Sequence, residues 1–210
     1  MRFNYDDNYF NHKYQGMPKN GYTDIIKNIL NVKGIDVRLG CSFEDLKENF
    51  QHIFYTGPID RYFEFRLGRL GYRTLDFERF VDDGDHQGTA VINYCDEEVP
   101  YTRISEHKHF APWEQENFSK TVCFREYSRL AGENDIPYYP IRLVNEKKML
   151  EDYITLARTK KNISFMGRLG TYRYLDMDVT IKEALEACDV IDKALQEDNF
   201  TLPAFFVDPE

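Results

Sequence analysis

The spacing of apolar residues along the chain predicts a small set of helices. Thr23 opens a segment whose apolar residues fall on one helix face, and residues 59–70 are predicted to be helical as well. Two longer segments near the C-terminus repeat apolar residues every three or four positions, which is the period of an amphipathic helix. Their apolar positions are Met149, Leu150, Tyr153, Ile154 and Ala157 in the first, and Ile181, Ala184, Leu185, Cys188, Ile191 and Leu195 in the second.

Shorter runs rich in aromatic and β-branched residues lie between turn-forming residues and predict strands. Four of them follow one another with no helical segment between them, which favours an antiparallel sheet and an α+β fold. The predicted strands are 35–39, 52–56, 72–81, 89–94, 101–109, 121–127 and 162–166.

Charge and composition indicate which kinds of binding partner and which compartment to expect. The 210 residues carry 27 Lys and Arg against 36 Asp and Glu, a net charge of −9, so a nucleic acid is not expected to bind. No apolar run approaches the roughly 20 residues of a membrane span, so no membrane insertion is expected. The four cysteines are widely spaced with no CxxC pair, which indicates reduced thiols and a cytoplasmic protein.

The segment 165–178 has the pattern of a strand, a glycine-rich turn and a helix that begins near Asp178. Free backbone N–H groups and the positive end of a helix dipole favour an anion, or the electron-rich edge of a reduced flavin, at such a turn. Arg168 and Arg173 add positive charge there. Many proteins contain a strand, a turn and a helix without a ligand, so this pattern alone leaves both interpretations open.

Arginines set among tyrosines form a second candidate site. Arg103 and Arg73 each lie within two residues of a tyrosine, and Arg2 lies in a tyrosine-containing N-terminal segment. A guanidinium offers a planar fork of donors that fits a diphosphate, and a tyrosine hydroxyl can donate to the same group. Taken singly, each arginine is better explained by a surface ion pair, because the chain has 36 acidic residues.

Neither a metal centre nor a nucleophile triad is predicted. His107 and His109 share one face of a predicted strand, but no third ligand follows at a suitable spacing. Ser105, Glu106 and His107 are adjacent in sequence, which is poor geometry for a triad.

Several motifs occur along the chain in one order. They are Arg-Phe-Asn-Tyr-Asp-Asp at 2–7, Tyr-Gln-Gly-Met-Pro at 14–18, Tyr-Thr-Gly-Pro-Ile-Asp at 55–60, Gly-Arg-Leu-Gly-Tyr-Arg-Thr-Leu at 68–75, Pro-Tyr-Thr-Arg-Ile-Ser-Glu-His-Lys at 100–108, Pro-Tyr-Tyr-Pro at 137–140 and the segment 167–178. Together they resemble the bacterial UDP-galactopyranose mutase family from residue 1 to about residue 191. The resemblance implies that the chain is a C-terminal fragment, because the glycine-rich unit that holds FAD in that family is absent from it.

The resemblance also implies how the chain is organised. It predicts an antiparallel β-sheet domain together with the closing strands and C-terminal helix of a flavin-binding Rossmann-like domain. The expected segments are a mobile loop and extended N-terminal segment at 1–20, a helix and strands of the flavin-domain type at 21–70, the antiparallel-sheet substrate domain at 71–145, the closing part of the flavin domain at 146–198, and a tail at 199–210.

The implied function is a flavin-dependent ring contraction that interconverts UDP-galactopyranose and UDP-galactofuranose for surface polysaccharide synthesis. The implied cofactor is FAD in its reduced form, the implied substrate is UDP-galactose, and a homo-oligomer, a dimer, is expected. Catalytic roles are implied for Arg2 and Arg103, substrate contacts for Tyr14, Asn93, Arg103, Tyr139 and Tyr174, and cofactor contacts for Arg73, Arg168, Tyr174, Asp176 and Met177.

Other interpretations stay open from the sequence. An inactive remnant that binds a UDP-sugar without flavin fits a chain that lacks the glycine-rich unit. A flavin amine oxidase-like oxidoreductase shares the Thr-Gly strand end and the C-terminal helix, but an amine substrate has no use for the arginines and tyrosines described above. A UDP-sugar-binding transferase without flavin leaves the segment 167–178 unexplained.

Overall fold

The structure, a computed structural model, describes residues 12–197 and 200–209. The described helices are α1 (Tyr22–Leu30), α2 (Ile59–Tyr62), α3 (Val144–Arg158), α4 (Gly167–Gly170) and α5 (Met177–Ala194). The described strands are β1 (Ile53–Tyr55), β2 (Tyr72–Asp83), β3 (Val91–Asn93), β4 (Arg103–Glu106), β5 (Lys120–Leu130), β6 (Tyr139–Pro140) and β7 (Ile163–Phe165). Short 3₁₀ helices cover Phe43–Asp45, His107–Phe110 and Pro112–Asn117.

Among the described residues, five strands form one sheet in the order β3-β4-β5-β2-β6. At one end of the β2–β5 pair, the Ala131 N–H donates to the Tyr72 carbonyl. At the other end, the Gly84 N–H donates to the Ser119 carbonyl, so these two long strands run antiparallel. The strand β6 pairs antiparallel with β2 as well. The antiparallel sheet predicted from consecutive strand segments is therefore confirmed.

A second, two-stranded sheet joins β1 to β7 in parallel, with Tyr55 opposite Phe165. Both of these aromatic residues are buried. The Phe63 ring stacks 5.8 Å from the Tyr153 ring and 5.8 Å from the Phe165 ring. Contacts of this kind contribute about 0.5–1.5 kcal/mol each beyond the area that they bury. This aromatic cluster holds α3 against the parallel pair.

The helix α3 shows directly why the sequence pattern is helical. Leu150, Tyr153, Ile154 and Ala157 are each at most 2% exposed, and they repeat with the spacing of one helix face. The helix predicted from Met149 and these four residues is confirmed. In the described part of the chain, no helix combines the length and the apolar character needed to cross a bilayer.

The chain divides into two compact units, and each is described by itself. Unit 1 comprises the ranges up to residue 46, 79–93 and 104–124, and unit 2 comprises the ranges 47–78, 94–103 and from 125 onwards. The domain boundaries predicted at residues 20, 70, 145 and 198 stay a prediction.

Two predicted elements near the start of the chain are wrong. Residues 35–39 form no strand, because a strand is stable only when it pairs, and no strand of the described chain pairs with them. The helix predicted over 59–70 ends at Tyr62. Glu64 and Phe65 adopt left-handed backbone angles, with φ of 54° and 57°, and a right-handed helix cannot continue through them.

The predicted strand at 101–109 is shorter than expected. β4 ends at Glu106, and the next four residues form a 3₁₀ helix. Glu106 accepts hydrogen bonds from the backbone N–H groups of the turn at 86–88, so its carboxylate closes that turn where the strand stops. His107 and His109 consequently do not share a strand face.

Candidate functional site

One face of the sheet in unit 2 carries a row of polar and aromatic side chains. Successive side chains of a strand point to opposite faces, so residues two apart share a face. Glu126 and Ser128 of β5 are such a pair. Glu126 contacts Arg103 and Ser128 contacts Arg73, so both arginines lie on that face. Tyr139 of β6 joins them, because it lies opposite Arg73 in the β2–β6 register. These five residues are called the arginine face below.

Arg103 is held at one end of the arginine face by Glu126. The Arg103 Nε lies 3.4 Å from the Glu126 Oε1, and the arginine side chain is 42% exposed whereas the glutamate side chain is 12% exposed. Thr102 anchors the pair, since its N–H and its hydroxyl both donate to the Glu126 carbonyl, at 2.8 and 3.1 Å. The backbone is therefore fixed, and the guanidinium keeps donor groups open to solvent.

Arg73 is fixed more firmly. Its Nε donates to the Ser128 hydroxyl at 2.7 Å, and its Nη2 donates to the Ser128 carbonyl at 2.7 Å. A planar guanidinium with two short hydrogen bonds to one residue has little freedom to reorient. Arg73 is consequently a rigid positive charge beside Tyr139.

Arg168 lies between two tyrosine rings. Its guanidinium carbon is 4.8 Å from the centroid of the Tyr139 ring and 4.3 Å from that of Tyr174, and the two rings are nearly parallel, with 13° between their planes. Cation–π contacts of this kind are worth about 0.5–2 kcal/mol each. The Arg168 Nη1 donates to the Leu175 carbonyl. Its Nε and Nη2 are buried and have no hydrogen-bond partner among the described residues.

The electrostatics of Tyr139 reflect these neighbours. Burial raises the pKa of its phenol, and the Glu126 carboxylate raises it further, whereas Arg103 and Arg168 oppose the rise. The hydroxyl therefore stays protonated at neutral pH. It remains a hydrogen-bond donor, which is the form that contacts an anionic group.

The helix α5 begins beside this site. Asp176 is its N-cap residue, and the Asp176 side chain makes no capping hydrogen bond. Arg173, which the sequence analysis expected to add positive charge at this turn, donates to Glu183 at 2.6 Å, so its charge is neutralised, and both side chains are less than 20% exposed. A small cleft of about 180 Å³ lies here, lined in part by Thr56, Gly167 and these two residues. It is smaller than the roughly 300–1,000 Å³ of a usual ligand pocket.

Tyr172 joins the segment of Arg168 and Tyr174 to the sheet. Its buried hydroxyl lies 2.5 Å from the Gly71 carbonyl and 2.6 Å from the Ile141 carbonyl, and it accepts the Ile141 N–H at 3.2 Å. Burial raises the pKa of this phenol, so it stays neutral. Tyr172 therefore ties the ends of β2 and β6 to the loop that carries Tyr174.

The structure brings together only part of the predicted site. Arg103, Tyr139, Tyr174, Arg73, Arg168 and Asp176 lie in unit 2, as does Met177, which is 63% exposed at the start of α5. Asn93, at the end of β3, and Tyr14, which is 83% exposed, belong to unit 1. Arg2 lies outside the described residues. The roles assigned to all of these residues stay predictions.

Two members of the arginine face were missed by the sequence analysis. Glu126 and Ser128 hold the two arginines, but the strand predicted at 121–127 ended one residue before Ser128, whereas β5 continues to Leu130. What the sequence did not contain was the register that puts Glu126 beside Arg103. On the opposite face of β5, Arg125 and Tyr127 bind Glu78, at 3.0 and 2.8 Å.

Unit 1 contains a separate cluster of possible metal ligands, although no metal site was predicted. Ligand atoms of Asp85, Glu106 and His109 lie within 4.8 Å of one another. The His109 Nε2 is 3.3 Å from Asp85 Oδ1 and 3.6 Å from Glu106 Oε2. Lys108 pairs with the same Asp85 oxygen and donates to the Gly84 carbonyl at 2.6 Å. A cation of the chain itself therefore already neutralises Asp85.

Comparison with known proteins identifies the family. A family model described as UDP-galactopyranose mutase matches residues 1–174, well over half of the chain. The chain belongs to the UDP-galactopyranose mutase family. The predicted resemblance is thereby confirmed, and the flavin amine oxidase interpretation is set aside. A probable UDP-galactopyranose mutase of Klebsiella pneumoniae is 60% identical over 190 residues, which are 90% of this chain and 49% of that protein.

Other relatives within the mutase family extend the comparison. A dTDP-fucopyranose mutase of Escherichia coli is 49% identical over 205 residues, 94% of this chain and 54% of that protein. A solved crystal structure of reduced UDP-galactopyranose mutase matches with a TM-score of 0.53 at 12% identity, over 77% of this chain and 45% of its own. This match confirms the predicted fold class. The chain spans about half the length of the curated mutases that it matches.

Proposed function

We propose that this chain takes part in the interconversion of UDP-galactopyranose and UDP-galactofuranose, and that its arginine face binds the diphosphate of the nucleotide sugar. The observation that carries the proposal is the partly exposed Arg103 guanidinium, held by Glu126 on the same sheet face as Tyr139. A diphosphate needs several donors from one side. A fixed guanidinium and a protonated phenol supply them.

The contribution of the chain to catalysis is then mainly electrostatic. Arg103 neutralises the negative charge that collects on UDP when its bond to the sugar weakens, and the Tyr139 hydroxyl donates to the same group. Tyr174, which is 61% exposed beside Arg168, offers a second hydroxyl. Arg2, Tyr14 and Asn93 are proposed to complete the substrate contacts.

Reduced FAD is the proposed cofactor, and when bound it supplies the nucleophilic chemistry of the reaction. The donor set of the structure fits such a group. The buried Nε and Nη2 of Arg168 have no partner among the described residues, so they are available to an electron-rich ring edge or a phosphate. The helix α5 begins at Met177, after the N-cap residue Asp176, and the backbone N–H groups of its first turn resemble those that hold anions at other helix N-termini. Arg73 adds a fixed positive charge.

Two related nucleotide sugars are candidates for the substrate. The name of the Klebsiella relative contains UDP-galactopyranose, and that of the E. coli relative contains dTDP-fucopyranose. Both compounds are nucleoside diphosphate sugars, so the arginine face suits either. UDP-galactopyranose is proposed because the identity to the first relative is 60%, against 49% to the second.

Binding of UDP to the full chain, followed by isothermal titration calorimetry, tests the diphosphate site. Arg103→Ala is expected to weaken binding at least about tenfold, because a charge-assisted hydrogen bond contributes roughly 1.5–3 kcal/mol. Arg125→Ala is the matched control, since Arg125 adjoins Glu126 in β5 but lies on the opposite face. Equal affinities for the wild type and Arg103→Ala would contradict the proposal.

Turnover is tested with the same chain, FAD, dithionite and each of the two sugar nucleotides, and the furanose product is separated by chromatography. Conversion of UDP-galactopyranose supports the mutase function. A chain that binds UDP but neither FAD nor a partner supports the interpretation of an inactive remnant.

The location of the activity is proposed to be the cytoplasm. Cys41, Cys95 and Cys188 form no disulfide among the described residues, which suits a reducing compartment. The dimer expected from the resemblance stays a prediction, and light scattering on the purified chain measures it.

A further inference from the structure

The segment that carries Arg168 and Tyr174 turns sharply at a tyrosine. Tyr172 adopts a left-handed backbone conformation, with φ of 49°, two residues after the short helix α4 ends. Glycine and asparagine are common at such a position, whereas a tyrosine is unusual, because its Cβ crowds the backbone there. A disfavoured conformation of this kind persists only where the surrounding structure fixes it, and such residues cluster at functional sites.

The side chain of Tyr172 fixes this conformation. Its ring is fully buried and packs edge to face on Tyr72, with the ring centroids 5.1 Å apart. Its hydroxyl lies 2.5 Å from the Gly71 carbonyl and 2.6 Å from the Ile141 carbonyl. These two carbonyls lie at the end of the β2–β6 pair, where the Ile141 N–H donates to Gly71. One phenol therefore ties the loop to the end of the sheet.

Two residues further along the loop, Tyr174 meets the same part of the sheet. The Tyr174 and Tyr139 rings are stacked, with centroids 5.9 Å apart and 13° between their planes. Tyr139 lies two residues before Ile141, so the segment 172–174 runs beside β6 in the opposite chain direction. Because Tyr174 is 61% exposed, its own contacts constrain it little, and its position depends on the anchored Tyr172.

We propose that Tyr172 is a positioning residue, and that its hydroxyl sets the place of the Tyr174 hydroxyl and of the Arg168 guanidinium. This inference rests on the proposed function, in which Tyr174 offers a hydroxyl to the diphosphate and Arg168 is available to the cofactor. Tyr172 acts through these two residues, because it is itself fully buried. Without its hydroxyl the ring still fills its space, but the loop loses its tie to the sheet, and Tyr174 is less often in reach of the ligand.

The test compares Tyr172→Phe with Tyr153→Phe, by isothermal titration calorimetry of the full chain with UDP. Tyr153 is a matched control on α3, because it is also fully buried. Its hydroxyl likewise donates to a backbone carbonyl, that of Gly68 at 2.6 Å, and accepts a backbone N–H, that of Leu67 at 3.2 Å. A loss of stability alone would therefore affect both variants alike. Tyr172→Phe is expected to weaken UDP binding about three- to tenfold, and Tyr153→Phe to change it less than about twofold.

A double variant shows whether Tyr172 acts through Tyr174. Tyr174→Phe alone is expected to weaken UDP binding about tenfold. Adding Tyr172→Phe is expected to increase that loss less than about twofold, because the group that Tyr172 positions is already gone. Fully additive losses, or equal affinities of the wild type and Tyr172→Phe, would overturn the positioning role.

A measurement without ligand separates this inference from the proposed function. The Arg168 Nε is buried, and the guanidinium lies over the Tyr139 and Tyr174 rings, whose ring currents shift the NMR signal of its N–H. Tyr172→Phe is expected to move this signal towards that of an exposed arginine, whereas Tyr153→Phe is expected to leave it in place. A wild-type chain that does not bind UDP contradicts the proposed function. An unchanged Arg168 signal in Tyr172→Phe overturns the positioning role whether or not UDP binds.

Discussion

Removal of a single hydroxyl group at Tyr172 is expected to destabilise the chain, whereas the same change at Tyr72 is not. The two rings pack edge to face, with centroids 5.1 Å apart and an angle of 87°. Both side chains are buried, Tyr172 fully and Tyr72 to 93%. Their hydroxyl groups differ. The Tyr172 hydroxyl contacts three backbone groups, and the Tyr72 hydroxyl has no hydrogen-bond partner among the described residues.

The magnitude follows from these contacts. Tyr172→Phe removes one donated hydrogen bond, worth about 0.5–1.5 kcal/mol, and the free energy of unfolding is expected to fall by that amount, because the Ile141 N–H keeps its hydrogen bond to the Gly71 carbonyl at 2.9 Å. For a chain of this size, that loss lowers the Tm by roughly 1–6 °C. Tyr72→Phe removes a buried hydroxyl that makes no hydrogen bond, and it is expected to leave stability unchanged or to raise it by about 1 kcal/mol.

Thermal and urea unfolding of the full chain, followed by circular dichroism, measures both variants against the wild type. Phenylalanine keeps the ring and the backbone preferences in each case, including the left-handed φ of 49° at Tyr172, so the comparison isolates the hydroxyl. Equal Tm shifts for the two variants would falsify the reasoning. A larger loss at Tyr72 would show that its hydroxyl has a partner outside the described residues.

Three further predictions follow from contacts of single residues. Gly170→Ala is expected to cost about 1–3 kcal/mol in urea unfolding by overpacking, because a Cβ there would lie 2.8 Å from the Tyr55 carbonyl oxygen, and Gly16→Ala, with open space around it, is the neutral control. Burial opposes ionisation of Glu106, but hydrogen bonds from the His86 and Gln87 N–H groups lower its pKa, so its contribution to stability is present above about pH 4.5 and is lost as the pH falls. Unfolding of Glu106→Gln is accordingly expected to depend less on pH between about 3 and 5 than that of the wild type, and parallel pH curves would count against this role. Hydrogen bonds from Arg129 and from the Gly132 N–H lower the pKa of Asp135 to about 2, so its carboxyl NMR signal should titrate there and move up in Arg129→Ala; an unchanged titration would exclude the ion pair in solution.

The parts of the fold that the sequence predicted are those with a strong local period. Leu150, Tyr153, Ile154 and Ala157 repeat as one helix face, and all four are buried. The segment 35–39 has the composition of a strand, but composition does not supply the partner strand that pairing requires. The left-handed angles at Glu64 and Phe65, which end α2, also have no signature in residue type.

The candidate site was predictable to a similar extent. Chemistry alone singled out Arg103, Arg73 and Arg168, because guanidinium groups suit a diphosphate and a flavin, whereas Tyr139 was implied only by the family resemblance. It could not indicate that Arg173 is neutralised by Glu183, since that pair forms ten residues apart across a turn and a helix. The family name came from several ordered motifs, whereas the spatial grouping of side chains came only from strand register.

Because both faces of β5 carry ion pairs, the length of this strand is constrained in evolution. Arg125 and Glu126 are neighbours in sequence but serve opposite faces, and their partners lie on other strands. Loss or gain of one residue upstream in the strand would exchange these faces and separate both arginine–glutamate pairs at once. An insertion of two residues would leave each side chain on its original face of the sheet. Among mutases that keep both pairs, length differences within β5 are therefore expected to come in even numbers.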